Sequence, residues 1–229
     1  MFLKKYFVEK EDTLLNKFYF LIFIYLFSLP VNAHTFTGMI GFYDGLSHPV
    51  LGVDHFLAMV SVGIVSAQIG GRAIWTIPLT FVCIMIVGGI IGISAEVYKG
   101  LNNETITLIE AGSISYFADT IYIFIEIGII FSVIFLGLSI AIEKKLSILI
   151  TMIFVGIFGF CHGTAHGLEM PWASNPILFA LGFASGTATL HLFGVGIGHF
   201  ALKAFFSSIL LRILGILFAI YGMYLIFQL

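Results

Sequence analysis

AIWTIPLTFVCIMIVGGIIGISA, residues 73–95, is an apolar segment that contains no charged residue. A helix needs about 20 mostly apolar residues to cross the hydrocarbon core of a bilayer, and this segment meets that length. The whole chain has the same character, because 60% of its residues are hydrophobic and only 10% are charged. Soluble domains are about 25% charged. The sequence therefore predicts an all-α integral membrane protein, since helices satisfy their own backbone hydrogen bonds in lipid.

Further apolar segments complete a predicted bundle of six transmembrane helices. Most are joined by short polar turns, whereas the connection from residue 96 to residue 120 is longer and acidic. Small residues that would let helices approach closely are Gly88, Gly89, Gly92, Gly182 and Gly186. The predicted spans are approximately residues 49–69, 73–95, 121–142, 147–168, 174–199 and 203–228.

The N-terminus has the pattern of a secretory signal peptide. Several lysines precede an apolar run over residues 18–29, which is short for a span and is followed by small residues up to Ala33. We expect cleavage after Ala33, which leaves residues 34–229 as one transmembrane domain; an uncleaved anchor is the alternative. Cleavage would make His34 the new N-terminal residue, whose amine and imidazole together suit a metal ion.

The positive charges predict how this bundle is oriented. Arg72, Lys144, Lys145 and Lys203 fall in alternate turns, which share one side of the membrane in a six-span arrangement. Lysine and arginine are enriched in cytoplasmic loops. Both mature termini are therefore expected on the outer side, where a cleaved signal would also place the new N-terminus.

The first polar motif is HPVLGVDHFLAM, residues 48–59. Pro49 suits the first position of a helix, and a spacing of seven residues then places His48 and His55 two turns apart on one face. Asp54 flanks that face, where it either binds a metal ion or accepts a hydrogen bond from an imidazole. Ionisable residues are costly in a membrane and usually mark a functional site, although a polar cluster that ties helices together is the alternative.

The second polar motif is FCHGTAHGLEMP, residues 160–171. His162 and His166 are four residues apart and Glu169 follows three later, so one helix would project all three in similar directions. The predicted topology places both motifs at the outer end of the bundle. Imidazole and carboxylate ligands suit borderline divalent ions such as nickel, cobalt, zinc and copper(II).

Two other ionisable residues and the signal-peptide junction extend this prediction. Glu126 and His191 lie in other predicted spans and, with His34, are candidate positions on a metal path. Helix packing is the alternative for His191, and a solvated terminal histidine is the alternative for His34. Asp44 either attracts cations at the mouth of the site or caps a helix.

Several classes of function are not supported by the sequence. The net charge of −2 does not favour nucleic acid, and no phosphate-binding GxxxxGK[ST] loop is present. Two rivals to transport stay open: an intramembrane metalloenzyme or haem protein with fixed histidine ligands, and a non-transporting accessory subunit. No HExxH motif is present, and histidines four apart on one helix cannot ligate both faces of one haem, so we do not predict an enzyme.

In combination, the two motifs resemble those of the HupE/UreJ family of small bacterial nickel permeases. The resemblance covers most of the mature chain and includes GFYDGLSHP before the first motif, EIGIIFS from Glu126, and GFASGTATLH ending in His191. It assigns the family's metal-binding residues to two sets, which are His48, Asp54 and His55, and His162 and His166 followed by Glu169. Cys161 and the long connection at residues 96–120 depart from the family pattern.

The resemblance implies a function and a location. It implies uptake of nickel, or of cobalt, across the bacterial inner membrane, with the ion as transported substrate and no permanently bound cofactor. The expected recipient is the maturation system of a hydrogenase or a urease. The sequence leaves open the metal, the energy coupling and the oligomeric state, a homo-oligomer included.

Overall fold

The computed structural model describes residues 41–102, 108–143, 146–170, 175–203 and 205–229. Within these ranges every regular element is a helix, which confirms the all-α prediction. The predicted signal peptide, His34, Lys144 and Lys145 lie outside the described residues. The helices are α1 Phe42–Leu51, α2 Val53–Ile69, α3 Ala73–Asn102, α4 Leu108–Ile142, α5 Ile148–Leu168, α6 Pro176–Ala201 and α7 Phe205–Ile226.

Five of these helices, α3 to α7, are long and apolar enough to cross a membrane. Helices α1 and α2 pass the same test only as a pair, and they are bent by 85° at the break between them. The protein is therefore a multi-pass membrane protein with five spans in its described part, or six if the bent pair is one span.

The first span was predicted as one straight helix starting at Pro49, and this prediction is wrong. Pro49 lies inside α1, near its C-terminal end, and the chain then breaks at Gly52. Proline removes one backbone donor from the helical ladder, and Gly52 adopts an extended conformation with φ −83° and ψ 116°. The ladder starts again where Phe56 N donates to Gly52 O at 2.8 Å.

The long connection is mostly helical. Helix α3 continues to Asn102 and α4 begins at Leu108, so both helices extend into residues 96–120. The apolar spans within them, Ala73–Val97 and Thr120–Ile142, lie within two residues of the predicted bounds. The ends of α5 and α6 lie within about two residues of the predicted boundaries, which is the usual uncertainty of helix ends.

Glycines bring the helix backbones into direct contact, as predicted. Gly88 and Gly92 of α3 lie against the backbone of α5, and Gly182 and Gly186 of α6 lie against the backbone of α1. A side chain on any of these four glycines would overlap a carbonyl oxygen or backbone atom of the facing helix. No hydrophobic driving force brings helices together in lipid, and close packing at small residues stabilises their association instead.

Polar contacts define the end of the bundle that is remote from the histidine motifs. Gln68 Nε2 donates to Ile140 O at 3.2 Å, and Arg212 Nε donates to Ala141 O at 2.9 Å. The end of α2, the end of α4 and the first turns of α7 therefore meet at one level. Arg72 follows α2 directly at this end, whereas both histidine motifs lie at the opposite end.

Gly194→Ala should destabilise the protein, because a Cβ at this position would overlap Val60 O of α2. Overpacking of this kind costs about 1–3 kcal/mol. Gly196, two residues later in α6, is the matched control, since no atom lies within 4 Å of a Cβ placed there. Gly196→Ala should be neutral or stabilising by up to about 1 kcal/mol through helix propensity.

Thermal unfolding of the two purified variants in detergent, followed by size-exclusion chromatography, measures this difference. A Gly194→Ala protein that is as stable as Gly196→Ala would show that α2 and α6 do not meet at these backbones.

Candidate metal site

Three histidines from three helices converge at the centre of the site. His48 of α1, His55 of α2 and His166 of α5 each offer one ring nitrogen, and these three atoms lie within 4.8 Å of one another. The ring centre of His166 is 4.4 Å from that of His48 and 4.4 Å from that of His55. Two nitrogens bound to one ion at about 2.1 Å are at most about 4.2 Å apart. Small ring rotations therefore suffice to place all three nitrogens on one ion.

The bend at Gly52 creates this convergence. His48 lies in the last turn of α1 and His55 in the first turn of α2. They were predicted to stack on one helical face, but they lie on two helices that meet at a sharp angle. Their ring centres are 6.2 Å apart, and His166 contacts both.

Asp54 is placed to orient His55. Its Oδ2 lies 3.1 Å from His55 Nδ1, and the Asp54 side chain keeps 27% exposure while that of His55 keeps 9%. A carboxylate beside one ring nitrogen fixes the tautomer and leaves the other nitrogen available to a metal ion. Of the two roles predicted for Asp54, this geometry favours the orienting one.

His162 lies beside the three-histidine group without belonging to it. Its ring centre is 5.2 Å from that of His55, and its side chain is fully buried. His162 Nδ1 donates to Phe158 O at 2.8 Å, because a carbonyl oxygen can only accept. Nε2 of the neutral ring therefore carries the lone pair, and it has no hydrogen-bond partner among the described residues.

Two glutamates and a tyrosine lie next to these histidines. Helix α5 ends at Leu168 and Glu169 is its C-cap residue, whose backbone N still donates to Ala165 O at 3.0 Å. Tyr122 Oη of α4 donates to Glu169 Oε1 at 2.7 Å. Glu126, one turn after Tyr122, is close enough to Glu169 and His55 to interact with both electrostatically.

Tyr122 was not identified from the sequence. A tyrosine in an apolar helix is usually an interfacial residue. The available signal was its spacing of four residues from Glu126, which places both side chains on one face of α4.

Two of the other predicted residues, His191 and Asp44, occupy different environments. His191 of α6 is buried, and its ring centre is 5.0 Å from that of Phe81. Asp44 Oδ2 accepts a hydrogen bond from Gly41 N at 2.9 Å, so it caps α1. His34 lies outside the described residues.

Aromatic rings of α6 form one wall of the site. Phe183 lies 4.5 Å from His166 and 6.0 Å from His48, and Phe179 lies 6.1 Å from His48, measured between ring centres. This wall limits the access of water to the imidazoles. The arrangement offers nitrogen ligands with carboxylates beside them, which suits a borderline divalent ion.

Comparison with known proteins identifies the family. A family model described as "HupE / UreJ protein" matches residues 22–99 and 101–225. The chain belongs to the HupE/UreJ family. A curated relative, Protein HupE of Rhizobium leguminosarum bv. viciae, is 36% identical over 172 residues, which are 74% of this chain and 78% of the relative. No solved structure matches the chain.

Membership of the HupE/UreJ family fits the site just described. The family consists of membrane proteins associated with nickel or cobalt uptake or with an accessory function. Both histidine motifs, residues 48–59 and 160–171, lie inside the ranges that the family model matches.

Asp54→Asn should weaken the binding of a divalent metal ion about 10- to 100-fold, the usual effect of losing a carboxylate that orients a histidine ligand. The asparagine keeps the size of the side chain but loses the charge beside His55. Titration of the purified protein with Ni²⁺ in a calorimeter measures the change in affinity.

Glu143→Gln is the control for this titration. Glu143 accepts hydrogen bonds from Ser208 at the opposite end of the bundle. Equal affinities of the Asp54 and Glu143 variants would show that Asp54 does not support a metal site.

Proposed function

We propose that this protein carries Ni²⁺, with Co²⁺ as a second substrate, across the bacterial inner membrane into the cytoplasm. The observation that carries this proposal is the convergence of His48, His55 and His166 within a bundle of membrane-spanning helices. Family membership supports it, since the HupE/UreJ family is associated with nickel or cobalt uptake or an accessory function. The delivered ion would supply the maturation of a hydrogenase or a urease.

The proposed entry site is built on the three-histidine group. Asp54 orients His55, and His162 offers a fourth imidazole beside it. Glu169 and Glu126 lie next to this group and attract the cation, as would His34 at the mature N-terminus. The residues proposed to bind the ion or to orient its ligands are His48, Asp54, His55, His162, His166 and Glu169.

The distribution of ligands over separate helices suits transport better than storage. The three-histidine group takes one residue from each of α1, α2 and α5. Movement of α1 at the Gly52 break would withdraw His48 and lower the number of ligands on the ion. A closed structural site, by contrast, holds an ion with four fixed ligands.

The ligand chemistry supports a borderline divalent substrate. Imidazole and carboxylate groups surround the site, whereas Cu⁺ prefers thiolate and thioether ligands. Cys161 adjoins His162 in sequence, but its Sγ lies against Gly128 of α4. It also packs with the apolar residues Ile125 and Ile129.

The membrane potential can drive the proposed uptake. Moving one elementary charge across a potential of 100 mV changes its free energy by about 2.3 kcal/mol, so moving a divalent cation changes it by about 4.6 kcal/mol. In the proposed orientation Arg72 and Lys203 face the cytoplasm and both mature termini face the periplasm. The histidine motifs then open towards the periplasm, and the inward-negative potential favours entry.

Uptake of radioactive nickel by cells that express the full chain tests the function. The parent protein should exceed the empty vector. His48→Ala and His162→Ala, at matched membrane levels, should each lower uptake at least about 10-fold. Loss of a residue that only orients a metal ligand already lowers metal affinity or activity about 10-fold or more, and loss of a ligand itself should cost no less.

His199→Ala is the matched control, since His199 is an exposed histidine at the far end of α6. It should transport nickel like the parent. Absence of uptake by a folded parent protein would contradict the proposal and point to an accessory function without transport. Normal uptake by the His48 and His162 variants would show that transport does not depend on these histidines.

A further inference from the structure

We propose that His191 is a second, inner metal station, which receives the ion from His162 and is separated from it by the ring of Phe81. This inference rests on the proposed function, because the ion must first enter through the outer histidines. It adds an intermediate binding position to the path, and it proposes that the Phe81 side chain separates this position from the outer site.

The first support is the unsatisfied state of the His191 ring. The residue is only 1% exposed, and neither ring nitrogen has a hydrogen-bond partner among the described residues. A buried polar group without a partner is costly, and such a group in a native structure requires an explanation. An imidazole with an available lone pair in a buried site is a suitable ligand for a divalent ion.

The second support is the position of Phe81. Its ring centre lies 5.4 Å from that of His162 and 5.0 Å from that of His191, and it meets His191 at 89°. Both imidazoles therefore pack against the same fully buried ring. His162 Nε2 is also without a hydrogen-bond partner among the described residues. Contact with both imidazoles places the Phe81 ring beside the proposed path from one histidine to the other.

The third support is the depth of His191 in the bundle. The carbonyl oxygen of His191 lies so close to Gly63 of α2 that a Cβ there would overlap it. Gly63 is eight residues after His55 on the same helix, which is about 12 Å further along its axis. Helical side chains lean towards the N-terminus of their helix, and α6 begins at the end of the bundle that carries the outer histidines. The His191 ring is therefore deeper than the entry site and directed back towards it.

Two further groups could complete the inner station. Thr187 lies one turn before His191, and its hydroxyl donates to Met85 Sδ at 3.7 Å. Met85 in turn lies one turn after Phe81 on α3. None of these side chains carries a charge, whereas Asp54 supports the outer site. The inner station should therefore hold the ion more weakly than the outer site, which favours onward release.

The main test separates binding from passage. The full-length protein is reconstituted in liposomes for Ni²⁺ uptake and titrated in detergent for Ni²⁺ binding. His191→Phe should keep the outer-site affinity of the parent but lower uptake at least about 10-fold. The phenyl ring preserves packing and removes both unpaired nitrogens, so thermal stability should equal or exceed that of the parent. His199→Phe, an exposed position on the same helix, should match the parent in every measurement.

The outcomes distinguish this inference from the proposed function. Parent-like uptake by His191→Phe would overturn the inner station while leaving the transport function intact. Loss of both binding and uptake by a folded His191→Phe protein would also overturn it, because His191 would then belong to the outer site. A parent protein that neither binds nor transports Ni²⁺ or Co²⁺ would overturn the proposed function and the inference together.

A spectroscopic variant tests ligation without transport. His191→Cys is placed in a background that carries Cys83→Ser and Cys161→Ser, and the protein is titrated with Co²⁺. A thiolate-to-cobalt charge-transfer band should appear in the near ultraviolet, after the outer site has filled. His199→Cys in the same background should give no such band. Absence of the band from the His191→Cys protein would overturn the assignment of His191 as a ligand.

Discussion

The cost of an unpaired polar group in hydrocarbon is the constraint on which this structure depends. Around the site, His55 is held by Asp54, His162 by the Phe158 carbonyl oxygen, and Glu169 by Tyr122. The last two contacts are hydrogen bonds, whereas Asp54 is an ion-pair neighbour of His55 Nδ1 at 3.1 Å. The polar side chains of the site therefore lie together at one end of the bundle, while Gln68, Glu143 and Arg212 make the polar contacts of the other end.

Backbone contact between helices provides the rigid frame for this region. Glycines allow α1 to lie directly on α6, and α3 to lie directly on α5. The first contact holds α1, and with it His48, in place before the chain turns at Gly52, and the second positions the helix that carries His162 and His166. The site is thus supported by packing that involves none of its own side chains, which is how a protein keeps ligand geometry precise to fractions of an ångström.

The sequence predicted the fold and several of the residues that the structure brings together, and its errors have identifiable causes. Apolar length predicted the helices because lipid permits few alternatives. The seven-residue spacing of His48 and His55 was interpreted on a straight helix, but Pro49 and Gly52 break the ladder and the two rings meet across a bend. Phe81 could not be recognised, because its role depends on contacts with α5 and α6 and not on its neighbours in the chain.

The three-histidine group has a consequence for how the protein is made. His48 and His55 come from the start of the described chain, whereas His166 comes from α5, which follows the two further helices α3 and α4. A growing chain that stops before α5 holds only two of the three imidazoles. The three-histidine group is therefore complete only after the fifth described helix has been made.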